Sequence, residues 1–487
     1  MAGQRKHHEG AQPGKAARRW SWIFVAAASV LVAAMPQASA QFANVGRGPS
    51  VNMNTGPRIS IHPHVRYSPN INYDDFGRGG PPPRYRPGPP QEFDGPPARR
   101  ASKRKPSAVA DNTFVAKEVL IEIEGAPSDS EANALARRHR LTRVQSQNFP
   151  LLNSTFFRWR IPDGRSVDTV VRELAADRGV KSAQRNSIFR LQQAAGAAGK
   201  GAPEQYALEK LQLRQAHALS TGEGVRVAVI DSGIDTAHPE LSGAVENAFD
   251  ALGGGEAAHA HGTGIAGIIA AHGRLTGAAP AARLIAIRAF GAQKVGATST
   301  SFVLLKSLDY AVSHGAQIIN MSFAGPQDPA LRRGLGVAAD KGITLVAAAG
   351  NGGPKSPPLY PGADPRVIAV TATDVSDRLF TAANRGPYIA IAAPGVDILT
   401  ALPDGKYGMS SGTSLSAAFI SGLAALMLAR NPALTPDDLR LALTKAARDL
   451  GPAGRDDQFG AGEANALAAV SAVEAPVATA SDGAVPR

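Results

Sequence analysis

Four residues, far apart in the chain, carry side chains that could jointly attack a carbonyl group: Asp231, His261, Asn351 and Ser414. Each alone has an ordinary explanation. Asp231 follows the run Val225-Arg226-Val227-Ala228-Val229-Ile230 and stands beside Gly233, where an acid often shapes a turn. His261 precedes Gly262-Thr263-Gly264 at the mouth of a small-residue segment. Ser414, within Ser410-Ser411-Gly412-Thr413-Ser414-Leu415-Ser416-Ala417-Ala418, heads a long apolar stretch, the usual place of a helix cap. The set says more than its members. A serine hydroxyl is a weak nucleophile at neutral pH and needs a base within hydrogen-bond reach. A neutral imidazole can supply that base, and a carboxylate can fix its tautomer and steady the imidazolium that forms. Attack on a carbonyl builds an oxyanion, which needs aimed donors. Asn351, in Ala349-Gly350-Asn351-Gly352, offers a side-chain amide, and the Ser414 N–H at a helix start offers a second donor. His259, in His259-Ala260-His261, is a rival for the base.

Three blocks resemble the subtilisin-like (subtilase) peptidases over about residues 205–470: Val227-Ala228-Val229-Ile230-Asp231-Ser232-Gly233-Ile234-Asp235, His261-Gly262-Thr263, and Ser411-Gly412-Thr413-Ser414. The order Asp, His, Ser is that family's order and differs from other serine-hydrolase orders. The resemblance implies that Asp231 orients the histidine, that His261 is general base and then acid, that Ser414 is the nucleophile and that Asn351 stabilises the oxyanion. The Gly-Thr pair following it favours His261 over His259. It also implies a strand, Ile319-Asn320-Met321-Ser322-Phe323-Ala324-Gly325, whose edge backbone pairs with a bound peptide through Ser322, Phe323, Ala324 and Gly325. Residues 347–350, with Ala348, Ala349 and Gly350, would line a first pocket with room for a sizeable apolar side chain. Three positions depart from the family pattern: Gly264 and Phe419 stand where histidines are usual, and Ala418 where a proline is common. None removes a catalytic group, but each could alter packing near the site.

The surrounding pattern can position such a set. Residues 225–230, 284–288, 317–321, 344–349 and 367–371 are short, almost wholly apolar runs, as in strands buried on both faces of a parallel sheet. Helical patterns fall at 264–271, 301–313 and 329–341, and Thr435-Pro436-Asp437-Asp438 starts another. The expectation is a doubly wound α/β domain over 205–472, with its site at the carboxyl ends of the strands. Before it, residues 113–192 read as βαββαβ: strands near 118–124, 142–149, 154–161 and 180–191, and helices from Ser128-Asp129-Ser130 to about 140 and over 167–178. This small α+β domain with an antiparallel sheet is similar to the inhibitory propeptides of the family, and its own catalytic domain is then its partner. The Gly/Ala-rich linker 193–204 would carry the processing site.

The remaining chain narrows location and partners. A basic stretch ending at Arg18-Arg19, an apolar run over 20–34 and Ala38-Ser39-Ala40 read as an export signal over 1–40; the run is shorter than the ~20 residues of a membrane span. Periplasmic or extracellular release is expected, with the export route open. No later run reads as a transmembrane helix. Residues 41–112, rich in Pro, Gly and Arg, and the tail 473–487 read as disordered. The formal charge of +12 sits mainly in this leader, which argues against a specific nucleic-acid surface. With no cysteine there are no disulfides and no thiolate chemistry. No metal site can be placed; the family often carries structural calcium, but no Asp-rich loop locates one, and no cofactor is required. A monomer acting on polypeptides is the expectation. The alternative is a catalytically inactive subtilase-fold module that binds peptides; a third reading, binding to anionic surfaces, rests on 41–112 alone.

Overall fold

The structure is a computed structural model that describes residues 113–192, 205–255, 258–291 and 296–474. The expected export signal, leader and processing linker lie outside the described residues, as does the tail beyond Glu474.

The small domain runs β1 (Phe114–Glu124), α1 (Asp129–Arg138), β2 (Thr142–Phe149), β3 (Ser154–Arg160), α2 (Val167–Ala175) and β4 (Ser182–Leu191). Its strands pair antiparallel in the order β4-β1-β3-β2. Helix α1 starts with a capping box in which Ser128 and Glu131 bond each other's backbone N–H groups. Helix α2 stops at Ala175, three residues before the expected end, as Asp177 turns back to accept from the Gly179 N–H. β1 begins four residues early because Lys117, at φ 57°, makes a register shift that the alternation does not show.

The large domain opens with two short helices, α3 (Tyr206–Lys210) and α4 (Leu213–His217). It continues through β5 (Arg226–Asp231), β6 (Val245–Asp250), α5 (Ala260–Ala270), β7 (Arg283–Arg288), β8 (Thr298–Thr300), α6 (Ser301–Ser313), β9 (Ile318–Met321), β10 (Phe323–Ala324) and α7 (Pro329–Asp340). Then come β11 (Thr344–Ala348), β12 (Val367–Thr373), β13 (Ile389–Pro394), the hairpin β14 (Ile398–Leu402) and β15 (Lys406–Ser410), α8 (Thr413–Arg430), α9 (Pro436–Lys445) and α10 (Ala466–Ser471). Seven parallel strands lie in the order β13-β12-β11-β9-β5-β7-β6.

Both faces of this sheet are buried, which is why its strands read as apolar runs. Val227, Val229, Val346 and Val370 face a core built with α5, α8 and α10; Ala228, Ile230, Ile285, Ile319 and Ala347 face one built with α6 and α7. The central helix α8 is long and apolar enough to cross a membrane, yet 89% of it is buried inside the fold, so it is a core helix. Val473, placed in the tail from the sequence, belongs to this core at 4% exposure.

Candidate active site

Asp231 is the last residue of β5, at the carboxyl end of a central strand, and is wholly buried. Its Oδ1 accepts from the Ser232 N–H at 2.7 Å and lies 2.7 Å from His261 Nδ1. A carboxylate only accepts, so Nδ1 carries the hydrogen of that contact and Nε2 keeps its lone pair for a proton from elsewhere. His261 sits in the first turn of α5, which starts at Ala260 rather than at 264 as expected. Close approach of this turn to β5 requires Gly262: a Cβ there would lie 2.5 Å from the Ser232 carbonyl oxygen. His259, the rival base, is the N-cap of α5 and turns its Nδ1 toward the His261 N–H.

Ser414 is in the first turn of α8, behind Gly412, whose φ of 153° and ψ of 156° favour glycine. First-turn N–H groups have no acceptor within their own helix, and the helix dipole is positive there, so this is a favourable place for developing negative charge. Asn351 follows β11. Its Oδ1 accepts from the Thr413 N–H at 3.2 Å and from the Thr413 hydroxyl at 2.8 Å. A backbone N–H can only donate, so the amide oxygen faces Thr413 and Nδ2 is aimed away from it. Asp231 Oδ2, His261 Nε2, Asn351 Nδ2 and Ser414 Oγ are all buried and make no hydrogen bond. Buried polar atoms are ordinarily satisfied, so four left open in one region mark a functional site.

The cleft is filled by the end of the small domain. β4 runs antiparallel to β8 through Ile188–Thr300, Phe189–Ser299 and Arg190–Thr298, and to β10 through Leu191–Phe323 and Arg190–Ala324. The Gln192 N–H donates to the Ser322 carbonyl at 3.2 Å, and Gln192 Oε1 accepts from the Asn351 N–H at 2.7 Å. A Cβ built on Gly412 would lie 2.6 Å from the Gln192 carbonyl oxygen, 3.1 Å from Asn351 Nδ2 and 3.3 Å from Ser414 Oγ. That carbonyl, the amide and the hydroxyl therefore surround one point. Phe189 is wholly buried in the large domain's core, edge-on to Phe323 at 6.1 Å between centroids. Gly325 makes room for it, since a Cβ there would fall 2.4 Å from the ring, while its backbone pairs with Tyr360.

Of the residues expected to line a first pocket, Ala348 ends β11, Ala349 bonds Val370 and the Tyr388 hydroxyl, and Gly350 bonds Thr413 and the Asn384 N–H. They build the loop that holds Asn351. From the small domain, the Gln192 side chain reaches this loop through the Asn351 N–H. The three departures pack quietly: a Cβ on Gly264 would meet Thr400 at 3.3 Å, and Ala418 and Phe419 lie in the main core.

Sequence reasoning missed a second polar network. Ser322 Oγ donates to the Ser414 carbonyl at 3.1 Å, Asn320 Nδ2 donates to Ser322 Oγ at 2.9 Å, and Ser421 Oγ donates to Asn320 Oδ1 at 3.0 Å. It ties β9 to α8 and so fixes the turn that carries Ser414. The signal was Asn320, a polar residue in an otherwise apolar buried strand. Among the described residues no three His, Asp or Glu side chains gather to hold a metal ion. The buried Glu240 instead takes the N–H groups of Gly273, Arg274 and Leu275 and the Tyr407 hydroxyl.

A sequence model described as the subtilase family matches residues 222–462. The minor extracellular protease Epr of Bacillus subtilis is 36% identical over 267 residues, covering 53% of this chain and 40% of that protein. The subtilisin of Bacillus pumilus is 35% identical over 240 residues, covering 47% of this chain and 86% of the relative. Of several further subtilisins the chain spans 62% of the length. Among solved structures, fervidolysin from Fervidobacterium pennivorans, a keratinolytic enzyme related to subtilisin, superposes with a TM-score of 0.63. That match covers 74% of this chain and 62% of fervidolysin at 23% identity, a likeness of fold. With the parallel sheet, the strand-end acid and the aligned relatives together, the chain belongs to the subtilase family.

Proposed function

We propose that this chain is an exported serine endopeptidase made as a zymogen, with Asp231, His261 and Ser414 as its triad and Asn351 as an oxyanion donor. The observation that carries the reading is the Gln192 carbonyl, held beside Asn351 Nδ2 and Ser414 Oγ by antiparallel pairing on both sides. Ser414 Oγ attacks that carbon while His261 Nε2 takes the hydroxyl proton, and Asp231 stabilises the imidazolium through Nδ1–H. The oxyanion accepts from Asn351 Nδ2 and the Ser414 N–H. The imidazolium then gives its proton to the Gln193 nitrogen as the C–N bond breaks, and water, deprotonated by His261, releases the acyl group. The chemistry draws on side chains and backbone and needs no cofactor. His261 Nε2 and Ser414 Oγ are unbonded in the structure; such contacts often tighten only in the reacting complex.

In this reading residues 113–192 are a propeptide that occupies the cleft until the bond after Gln192 is cut, and the later substrates are polypeptides bound along β8 and β10. The second reading, an inactive peptide-binding module, shares the cleft but not the chemistry. Residues 41–487 and their Ser414→Ala variant separate the two by intact mass after folding. Cleavage after Gln192 in the parent alone supports the enzyme and its maturation. If both stay whole, fluorophosphonate labelling of the parent alone keeps the enzyme without self-processing, and no labelling leaves the binding module.

A further inference from the structure

The turn that carries His261 is held by a second imidazole. Two of the first N–H groups of α5 are satisfied by side chains: His261 N–H donates to His259 Nδ1 at 3.2 Å, and Gly262 N–H donates to Ser232 Oγ at 3.0 Å. Ser232 Oγ lies 3.1 Å from His259 Nδ1 and 3.2 Å from Asp231 Oδ1. A backbone N–H is an obligate donor, so His259 Nδ1 must offer a lone pair, the ring hydrogen sits on Nε2, and the Ser232 hydrogen turns to Asp231. Hydrogen bonds thus run from His261 to His259 and from Ser232 and His261 to Asp231, and the Ser232 Oγ–His259 Nδ1 approach between them holds no hydrogen while His259 is neutral.

We propose that His259 is a positioning residue for His261: its neutral Nδ1 holds the catalytic turn in place, and its protonation disables the site in a step separate from protonation of His261. This rests on the triad reading given above. A proton on Nδ1 turns the acceptor into a donor, so the His261 N–H loses its partner and the new cation competes with His261 for Asp231. Burial holds the His259 pKa below the ordinary imidazole value, with His261 adding to the effect and Asp231 opposing it. Neutral His259 at working pH is consistent with the cap. The charged groups around it are Asp231 beyond Ser232, and His261 on its own helix. Asp235 in the next turn is engaged with the Ala237 and Asp404 N–H groups. Asp250 and Arg288 pair at 2.7 Å in the wall of a cavity of about 290 Å³ that Ser232 and Ala258 also line. Glu256, three residues earlier in the chain, lies outside the described residues.

The test compares the processed enzyme with His259→Asn, which keeps a capping acceptor that does not titrate, and His259→Leu, which has none. The probe is a chromogenic Phe-Arg-Leu-Gln tetrapeptide, and the readout is kcat/KM against pH. The expected result is an acid limb that falls with a slope approaching two in the parent and with a slope of one in His259→Asn. His259→Leu should lose about tenfold in kcat with KM little changed, a loss that His259→Asn rescues. A parent that falls with a slope of one, or an Asn variant with the parent's profile, overturns the inference and leaves the triad standing. A parent inert to the peptide and to fluorophosphonate overturns both. Nitrogen-15 shifts of the His259 ring in the full Ser414→Ala chain give a check that does not need turnover. They should show the Nε2–H tautomer near neutrality and a His261 amide signal that moves as His259 titrates; an Nδ1–H tautomer overturns the proposal.

Discussion

The two larger sheets of this molecule use their faces differently. In the large domain both faces are apolar and covered by helices of the same domain. In the small domain one face is apolar, with Val119, Ile121, Phe157 and Trp159 against α1 and α2. The other turns Glu118, Glu122, Gln184 and Asn186 toward the large domain, around a small cluster in which Leu120, Phe149 and Phe156 meet Phe302, Leu305 and Ala330. Many hydrogen bonds cross the seam. Gln184 Nε2 donates to both Asp328 oxygens at 2.9 and 2.8 Å, and its Oε1 accepts from the Ala330 N–H at 3.0 Å. Asn186 Oδ1 accepts from the Phe302 N–H at 3.3 Å, Ser301 Oγ accepts from the Ser187 N–H at 2.8 Å, and Arg333 pairs with Glu122. Groups like these recover hydrogen bonds from water when parted, whereas an apolar core does not. A polar seam around a small apolar centre suits a domain that docks specifically and later leaves. The apolar sheet suits a framework that must not move.

The largest expected effect is at Gly412, where the Gln192 carbonyl at the end of the small domain meets Asn351 and Ser414. In Gly412→Ala the added methyl collides with the Gln192 carbonyl and crowds Asn351 Nδ2 and Ser414 Oγ. We expect kcat/KM on the tetrapeptide to fall by roughly 10³-fold or more, since the methyl would block the oxyanion position of the proposed mechanism. The full chain should also fail to self-cleave while keeping the parent's circular dichroism. Near-parental turnover would mean that the Gln192 carbonyl does not mark the reacting position.

The next effect separates framework from seam. Ile420→Ala, at a wholly buried position of α8, should cost about 2–5 kcal/mol of stability, read as a lower melting midpoint. Gln184→Ala, made in the Ser414→Ala background, removes bonds to the buried carboxylate of Asp328 worth on the order of 1.5–3 kcal/mol. It should leave the melting of the large domain near its starting value. Hydrogen exchange at the Leu191 and Gln192 amides should quicken about 10-fold or more, because the seam opens more often. A midpoint drop as large as that of Ile420→Ala would erase the distinction between the two regions.

How much of this was legible beforehand follows from how local each signal is. Asp231, His261 and Ser414 stood out because each comes with glycine neighbours in a short block, and at Gly262 and Gly412 close packing demands the glycine. β5, β7, β9, β11 and β12 were readable as apolar runs because both faces are covered. β6, with exposed Glu246 and Ala248 at the sheet edge, mixes polar and apolar residues and escaped notice. The early start of α5 was hidden because Gly262 and Thr263 are poor helix formers, and the caps come from Ser232 and His259. Gln192 could not be singled out at all. Its place depends on β4 being carried between β8 and β10, a pairing of segments more than 100 residues apart.

The smallest effect concerns acid, and it tests whether the small domain is held by features of its own. Asp177 bonds His139 Nε2 at 2.8 Å, the Gly179 N–H at 2.9 Å and Arg138 at 2.7 Å. These partners, led by His139, hold its carboxyl well below the ordinary value. A carboxyl whose folded pKa is depressed adds stability above its unfolded pKa, near 3.9, and loses that stability as pH falls through the folded value. Arg138 is largely exposed, so screening keeps its share small. Between pH 7 and 5 this contribution should be constant; below about pH 4 exchange at α1 and β2 amides should quicken in the parent. Asp177→Asn should already show the faster exchange at pH 7 and flatten the acid dependence, while β11 and β12 amides stay protected throughout. An Asn variant that keeps the parent's acid dependence would place the acid-sensitive group at the seam, and Glu122 with Arg333 would be the pair to change next.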